Sequence, residues 1–160
     1  MDNHLITYWN LNVHEDDIIY HLGDFSFASA QPYLDRLNGY KLFVRGNHEK
    51  PLINAVGVNK VPYIRETKID DISITLCHYA MRVWNKSHFD QYHLYGHSHG
   101  TLPPQGKSLD VGVDCNNFQP ISWSEVKAKM DKQPHNFNWV KNLPGYNQEE
   151  FDKARQGEDE

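Results

Sequence analysis

The chain has 160 residues, room for one domain, with 39% apolar and 12% aromatic residues, enough for a hydrophobic core. A net charge of −5 argues against nucleic-acid or anionic-membrane binding through bulk electrostatics, although a small local basic patch stays open. No apolar run approaches the roughly 18 residues of a membrane span, Met1-Asp2-Asn3-His4 does not open a signal peptide, and Cys77 and Cys115 form no C-x-x-C pair, which together predict a protein of the reducing cytoplasm.

The spacing of Leu5 to Asn10 predicts a short helix, closed by the polar turn His14-Glu15-Asp16-Asp17. Ile18 to Leu22 reads as a buried strand ending at Gly23-Asp24. Tyr33, Leu34 and Leu37 recur at helical spacing between about Ser29 and Leu37, before the stop signal Asn38-Gly39. A strand over Tyr40 to Val44 leads into Gly46-Asn47-His48-Glu49, and Pro51 suits the first turn of a helix running to Val56. Tyr63–Thr67 and Ile72–Cys77 read as antiparallel strands joined at Asp70-Asp71. Tyr92–Tyr95 and Leu109–Val113 read as two more strands. Ser122 and Glu125 have capping-box spacing for a helix through Met130. The domain is set at residues 1–132, and the polar stretch 133–160 reads as a tail, loose or lying over the surface.

Strands thus alternate with helices, and several strands stop at polar, Gly-containing loops, where α/β sheets bind ligands. Those loops carry metal-type side chains: Asp24, Asn47 and His48, His78, and His97 with His99. A carboxylate, a carboxamide oxygen and several imidazoles suit Mn²⁺, Fe, Co²⁺, Ni²⁺ or Zn²⁺, and lack the thiolates of a structural zinc site. In an extended segment His97 and His99 would face the same side. Each residue alone has a plain reading as a turn or surface residue. Their ordered occurrence at successive strand ends carries the signal.

In this order the residues resemble the motifs of the calcineurin-like metallophosphoesterases, namely D-x-H, G-D, G-N-H-[D/E], a lone His and G-H-x-H. Gly23-Asp24, Gly46-Asn47-His48-Glu49, His78 and Gly96-His97-Ser98-His99 match the last four, over residues 5–130, and their flanks look most like the small bacterial and phage branch. The resemblance implies an α/β fold, a four-layer α-β-β-α sandwich of two mixed sheets. It implies that Asp24 bridges two divalent metal ions, that Asn47, His78 and His97 complete one site, and that His99 belongs to the other. It gives His48 no metal, but a place beside the phosphate where it stabilises or protonates the leaving oxygen. Two cations about 3.5–4 Å apart clamp a phosphoryl group and generate hydroxide for in-line attack.

The chain departs from the family at the first motif. Asp2-Asn3-His4 fits its letters, yet no apolar strand precedes it, and Leu5 to Asn10 resembles the helix that follows that motif. The expectation is a chain that begins some tens of residues late, lacking the first strand and two ligands, with one metal in place of two. The function implied is a cytoplasmic metal-dependent phosphoesterase, hydrolysing a phosphomonoester or phosphodiester, with nucleotide- or nucleic-acid-derived substrates admitted. The alternative is a non-catalytic relative that keeps one metal or none and acts as a binding protein or unstable fragment.

Of the remaining candidates, His4, His14, His88 and His135 read as surface residues, and His21 and His93 as packing near the site. Arg82 and Trp84 read as a loop Arg and a packed Trp, with phosphate contact and base stacking as the functional version. Glu49 reads as shaping its loop, and Cys77, Trp9, Trp123 and Trp139 as packing.

Overall fold

A computed structural model describes residues 2–149 and 152. The architecture is α/β, with two sheets and four α-helices assigned among the described residues, compatible with the expected sandwich. The helices are α1 (Asp2–Asn12), α2 (Gln31–Leu34), α3 (Lys50–Val56) and α4 (Trp123–Asp131), and the strands are β1 (Ile18–His21), β2 (Tyr40–Phe43), β3 (Ile64–Ile69), β4 (Ile72–Cys77), β5 (Tyr92–Tyr95) and β6 (Ser108–Asp110). No helix among the described residues is long and apolar enough to cross a membrane.

The smaller sheet pairs β1 with β2 in parallel, Ile18 opposite Tyr40 and His21 opposite Phe43. The larger has the order β3-β4-β5-β6, antiparallel between β3 and β4 and parallel thereafter. The β3–β4 hairpin turns on Asp70 and Asp71, both at positive φ (49° and 64°), the two-residue geometry that matches strand twist. Each of β1, β2, β4 and β5 then leaves the sheet into a loop bearing metal-type side chains.

The principal core joins both sheets and α4. Leu22 and Val44, just past β1 and β2, pack with Ile74, Leu76, Tyr92 and Leu94 of the larger sheet and with Val126 and Met130 of α4. α4 starts at the expected capping box: the Ser122 side chain accepts from the Glu125 N–H, and the Glu125 carboxylate accepts from the Ser122 N–H. A second cluster, Ala30, Phe43, Leu52 and Val61, fixes α2 and α3 against β2. Among the described residues β1 pairs with β2 alone. Beside it runs a groove of about 560 Å³ lined by Tyr20, Ile74, Leu76, Val111 and Trp123, which reaches Asp24 and His99 at its far end.

Three expectations are corrected, and the stretch 133–160, expected to be loose or to lie over the surface, gains an anchor at Asn136. α1 is longer than residues 5–10, starting at Asp2, and His4 is an exposed position on it; the Asp2 side chain lies outside the described residues. α2 is one turn long, because α1 captures the chain beyond it: Asn38 N–H donates to Asn10 Oδ1, its amide donates to the Val13 carbonyl, and its carbonyl accepts from Trp9 Nε1. β6 stops at Asp110, whose carboxylate accepts from the N–H groups of Gly112 and Gly100 and turns the chain into a 3₁₀ segment, Val113–Cys115. Finally, the segment after 132 is anchored. Asn136 is 2% exposed; its Oδ1 accepts from Lys107 N–H at 2.7 Å and its Nδ2 donates to the Ser87 carbonyl at 2.7 Å. The acidic stretch after residue 149 lies outside the described residues except for Asp152.

Asn136→Ala strands a buried donor and a buried acceptor at once, so the variant is expected to lose about 1–3 kcal/mol of stability, read from the urea midpoint. An unchanged midpoint would return 133–142 to the status of a loose tail.

Candidate metal centre

The centre is built where loops from the two sheets meet. His78, the residue after β4, is 2% exposed, and its Nδ1 lies 2.7 Å from the carbonyl oxygen of Leu22, just past β1. A carbonyl only accepts, so Nδ1 carries the proton and Nε2 presents a lone pair. Around that Nε2 stand Asn47 Oδ1 at 3.0 Å, His97 Nδ1 at 3.1 Å and Asp24 Oδ2 at 3.5 Å. One ligand atom each from Asp24, His78 and His97 lies within 4.8 Å of the other two. A carboxylate oxygen, a carboxamide oxygen and an imidazole lone pair repel one another unless something positive sits among them. This donor set fits a divalent cation of borderline character, and the carbonyl behind His78 is the outer partner that fixes a ligand imidazole.

Backbone geometry makes the convergence feasible. Gly23 has φ +102°, and a Cβ there would lie 2.5 Å from His78 Nδ1; one on Gly46 would lie 2.3 Å from Asp24 Oδ1. Asp24 and His97 themselves take positive φ, 58° and 61°, a region that Asp and His tolerate better than most side chains. The second oxygen of Asp24 accepts from the His48 N–H at 2.9 Å, tying the two loops together. Beneath them Glu49, 3% exposed, accepts from the Phe25 N–H at 2.8 Å, and burial raises its carboxyl above the usual range. Glu49 shapes the loop, as its sequence position implied.

His99 is not brought into this group. The segment Gly96–Gly100 is a tight turn, not an extended strand, and His99 also has positive φ (47°), so strand alternation does not apply to the two histidines. His99 instead holds Asp114 Oδ2 at 2.6 Å, which raises its pKa above the ordinary imidazole value, while lining the same groove as Asp24. Asp114 is 15 residues from His99 in the chain, and no spacing in the sequence pairs the two. His48 is exposed, with the Phe27 ring 5.0 Å from its own. Tyr79, to which the sequence assigned no role, stands beside the centre with its ring 4.8 Å from His97 and 4.9 Å from His78.

The other candidates have plain packing roles. His93 is fully buried, with Nδ1 on the Thr75 carbonyl and Nε2 accepting from Met81 N–H. Trp84 packs on His93 and donates to the Gln91 carbonyl, and Arg82 lies over Phe137. Cys77 is buried. His21 packs among Trp9, Phe25 and Phe43; burial lowers its pKa from 6.5 to about 4, against the raising effect of Asp24.

No family model matches the chain. An uncharacterised protein of Methanocaldococcus jannaschii, MJ1445, is 29% identical over 146 residues, covering 82% of this chain and 76% of that one. The crystal structure of AQ665 from Aquifex aeolicus, a protein of unknown function, superposes with a TM-score of 0.62 at 21% identity, over 80% of this chain and 84% of that one. The second likeness establishes that the fold occurs in a crystal structure.

Two outcomes follow. Mn²⁺ binding, followed by loss of the free-ion EPR signal, is expected to weaken at least about tenfold in Asp24→Asn and in Gly46→Ala; no Mn²⁺ binding by the parent chain would remove the centre. Unfolded His21 takes up a proton near pH 6.5 that the folded ring refuses until about 4, so its contribution to stability is lost as pH falls through that window. The urea midpoint of His21→Phe should therefore fall less than that of the parent between about pH 7 and 5.

Proposed function

We propose that the protein is a metal-dependent phosphoesterase of the calcineurin-like type, with His48 as the group that serves the leaving oxygen. The observation that supports this most is the cluster of lone pairs around His78 Nε2, with His48 held one residue beyond Asn47 and its N–H on Asp24. A divalent cation bound there supplies Lewis acidity toward a phosphoryl oxygen and acidifies water.

Asp24, Asn47, His78 and His97 would hold the cation, with Asp24 contributing the negative charge and the three neutral groups setting the geometry. His78 cannot rotate away, being buried and fixed at Nδ1 by Leu22. His48 is solvent-exposed, so its imidazole can exchange protons with water and deliver one from a ring nitrogen to the departing oxygen. A single set of three His, Cys or carboxylate ligands assembles among the described residues. With His99 paired to Asp114, we read the chain as binding one cation strongly and not two.

In the presence of Mn²⁺ the protein is expected to release nitrophenol from bis(p-nitrophenyl) phosphate, and His48→Ala to slow release at least about tenfold without weakening Mn²⁺ binding. Metal bound without turnover would favour the binding-protein reading; absence of metal-stimulated hydrolysis in folded protein would falsify the assignment.

A further inference from the structure

A second cavity, of about 660 Å³, opens beside the metal centre on the His48 side. Its lining includes Asn47 and His48 from the loop after β2, Phe27 and Gln31 from the segment before and within α2, and Lys50 and Asn54 from α3. Phe27 is 81% exposed. Its neighbours explain why it points out: Phe25 joins the aromatic cluster of His21, Tyr33 and Phe43, Ser26 is buried with its hydroxyl on the Ala28 carbonyl, and Phe27 is left facing the cavity. Phe27 thus contributes little to the core while presenting a ring face 5.0 Å from that of His48.

The rest of the lining is polar. Gln31 is held by its Nε2 on Asp35 Oδ1 at 2.7 Å, one turn along α2, and Asn54 adds an exposed carboxamide to the same lining. Carboxamides match the donor and acceptor edge of a nitrogenous base, and an aromatic face stacks on the base plane. Lys50 adds a cation suited to phosphate.

We infer that this cavity is a nucleoside-binding subsite, in which Phe27 stacks on the base carried by the leaving oxygen of the phosphate ester. The inference rests on the phosphoesterase reading for the placement of that oxygen at His48. The direction follows from the layout: the cavity starts at His48, so whatever departs with the proton from His48 departs into it. Phe27 sets specificity and takes no part in bond cleavage.

The test uses two titrations of the full chain. In the first, adenosine is added to metal-free protein and ring-proton shifts are followed by NMR, with ribose as the control. Saturable shifts with adenosine and none with ribose are expected, and Phe27→Ala should weaken adenosine binding at least about fivefold while Phe27→Trp retains it. This arm needs no metal and no turnover, so it stands or falls apart from the phosphoesterase reading. In the second, Mn²⁺-loaded protein is given adenosine 5′-monophosphate or ribose 5-phosphate, which differ only in the base. Their kcat/KM ratio should favour the former at least about fivefold and approach one in Phe27→Ala. No adenosine-specific shift, or an adenosine affinity that Phe27→Ala leaves unchanged, overturns the subsite. Hydrolysis of both esters at equal rates would leave an esterase in place and remove the nucleoside preference.

Discussion

One hydrogen bond organises the functional end of the molecule: His78 Nδ1 to the carbonyl of Leu22. Leu22 follows the smaller sheet and His78 follows the central strand pair of the larger one, so the contact joins the two sheets where their loops emerge. It is buried, and therefore hard to exchange for water. It also sets the tautomer. Once Nδ1 is the donor, Nε2 is a lone pair directed at Asn47, Asp24 and His97, and the chemistry of the centre is fixed by a backbone carbonyl that belongs to no motif. The Leu22 side chain meanwhile sits in the principal core with Val44, Ile74 and Leu76. Packing and site geometry are thus enforced by the same residue.

That arrangement concentrates unfavourable terms at one place. Asp24 and His97 adopt positive φ, the lone pairs face one another, and Glu49 keeps Oε2 buried without a partner. His21 likewise keeps Nδ1 unpaired and stays neutral well below the usual imidazole range. Strained conformations and unpaired polar atoms persist only where the surroundings over-determine them. Here the surroundings are the second core under α3, the Phe25 N–H on Glu49, and close backbone contact at Gly23 and Gly46. Binding a cation would relieve the electrostatic part of this cost and leave the backbone part unchanged, so the pocket would retain its shape when empty.

Much of the fold was legible because its signals are local. β5 is found at Tyr92–Tyr95 as read, β1 and β2 within one residue of their expected ends, and the capping box of α4 at Ser122 and Glu125. The misreadings came from interactions distant in sequence. α2 stops where Asn10, Val13 and Trp9 seize Asn38, and no window around residue 37 contains that information. Asn136 is polar and lies two residues after Pro134, so composition places it in a tail, loose or lying over the surface, and gives no sign that its carboxamide matches the backbone of Ser87 and Lys107. At the site, alternation predicts that His97 and His99 share a face; the prediction assumes extended backbone, whereas three residues in five (His97, His99 and Gly100) have positive φ. Asp24, Asn47, His78 and His97 were named from order and spacing, but their spacing in the chain carries no distances. Leu22 could not be named at all, since its contribution is a carbonyl.

The division between buried and exposed parts has a chemical consequence. His78 is inaccessible and fixed, whereas Asn47, His48 and His97 are exposed, and Tyr79 and Phe27 stand on either side of them as partly or largely exposed rings. Under the proposed function, the imidazole fixed in one geometry would lie on the inner side, and the groups that meet solvent, protons and substrate would lie on the outer side. Discrimination between esters would then fall to Phe27 and Gln31, which can change without touching Asp24, Asn47, His78 or His97. Replacing Phe27 removes no core contact, because Phe25, not Phe27, fills the space beside Phe43. If the proposed function holds, the same four candidate ligands would serve different leaving groups simply by altering residues between Phe27 and Gln31 and along α3. This loop and helix are anchored by the Ala30–Phe43–Leu52–Val61 cluster and not by the centre itself, so their outer faces are free to vary while their positions stay set.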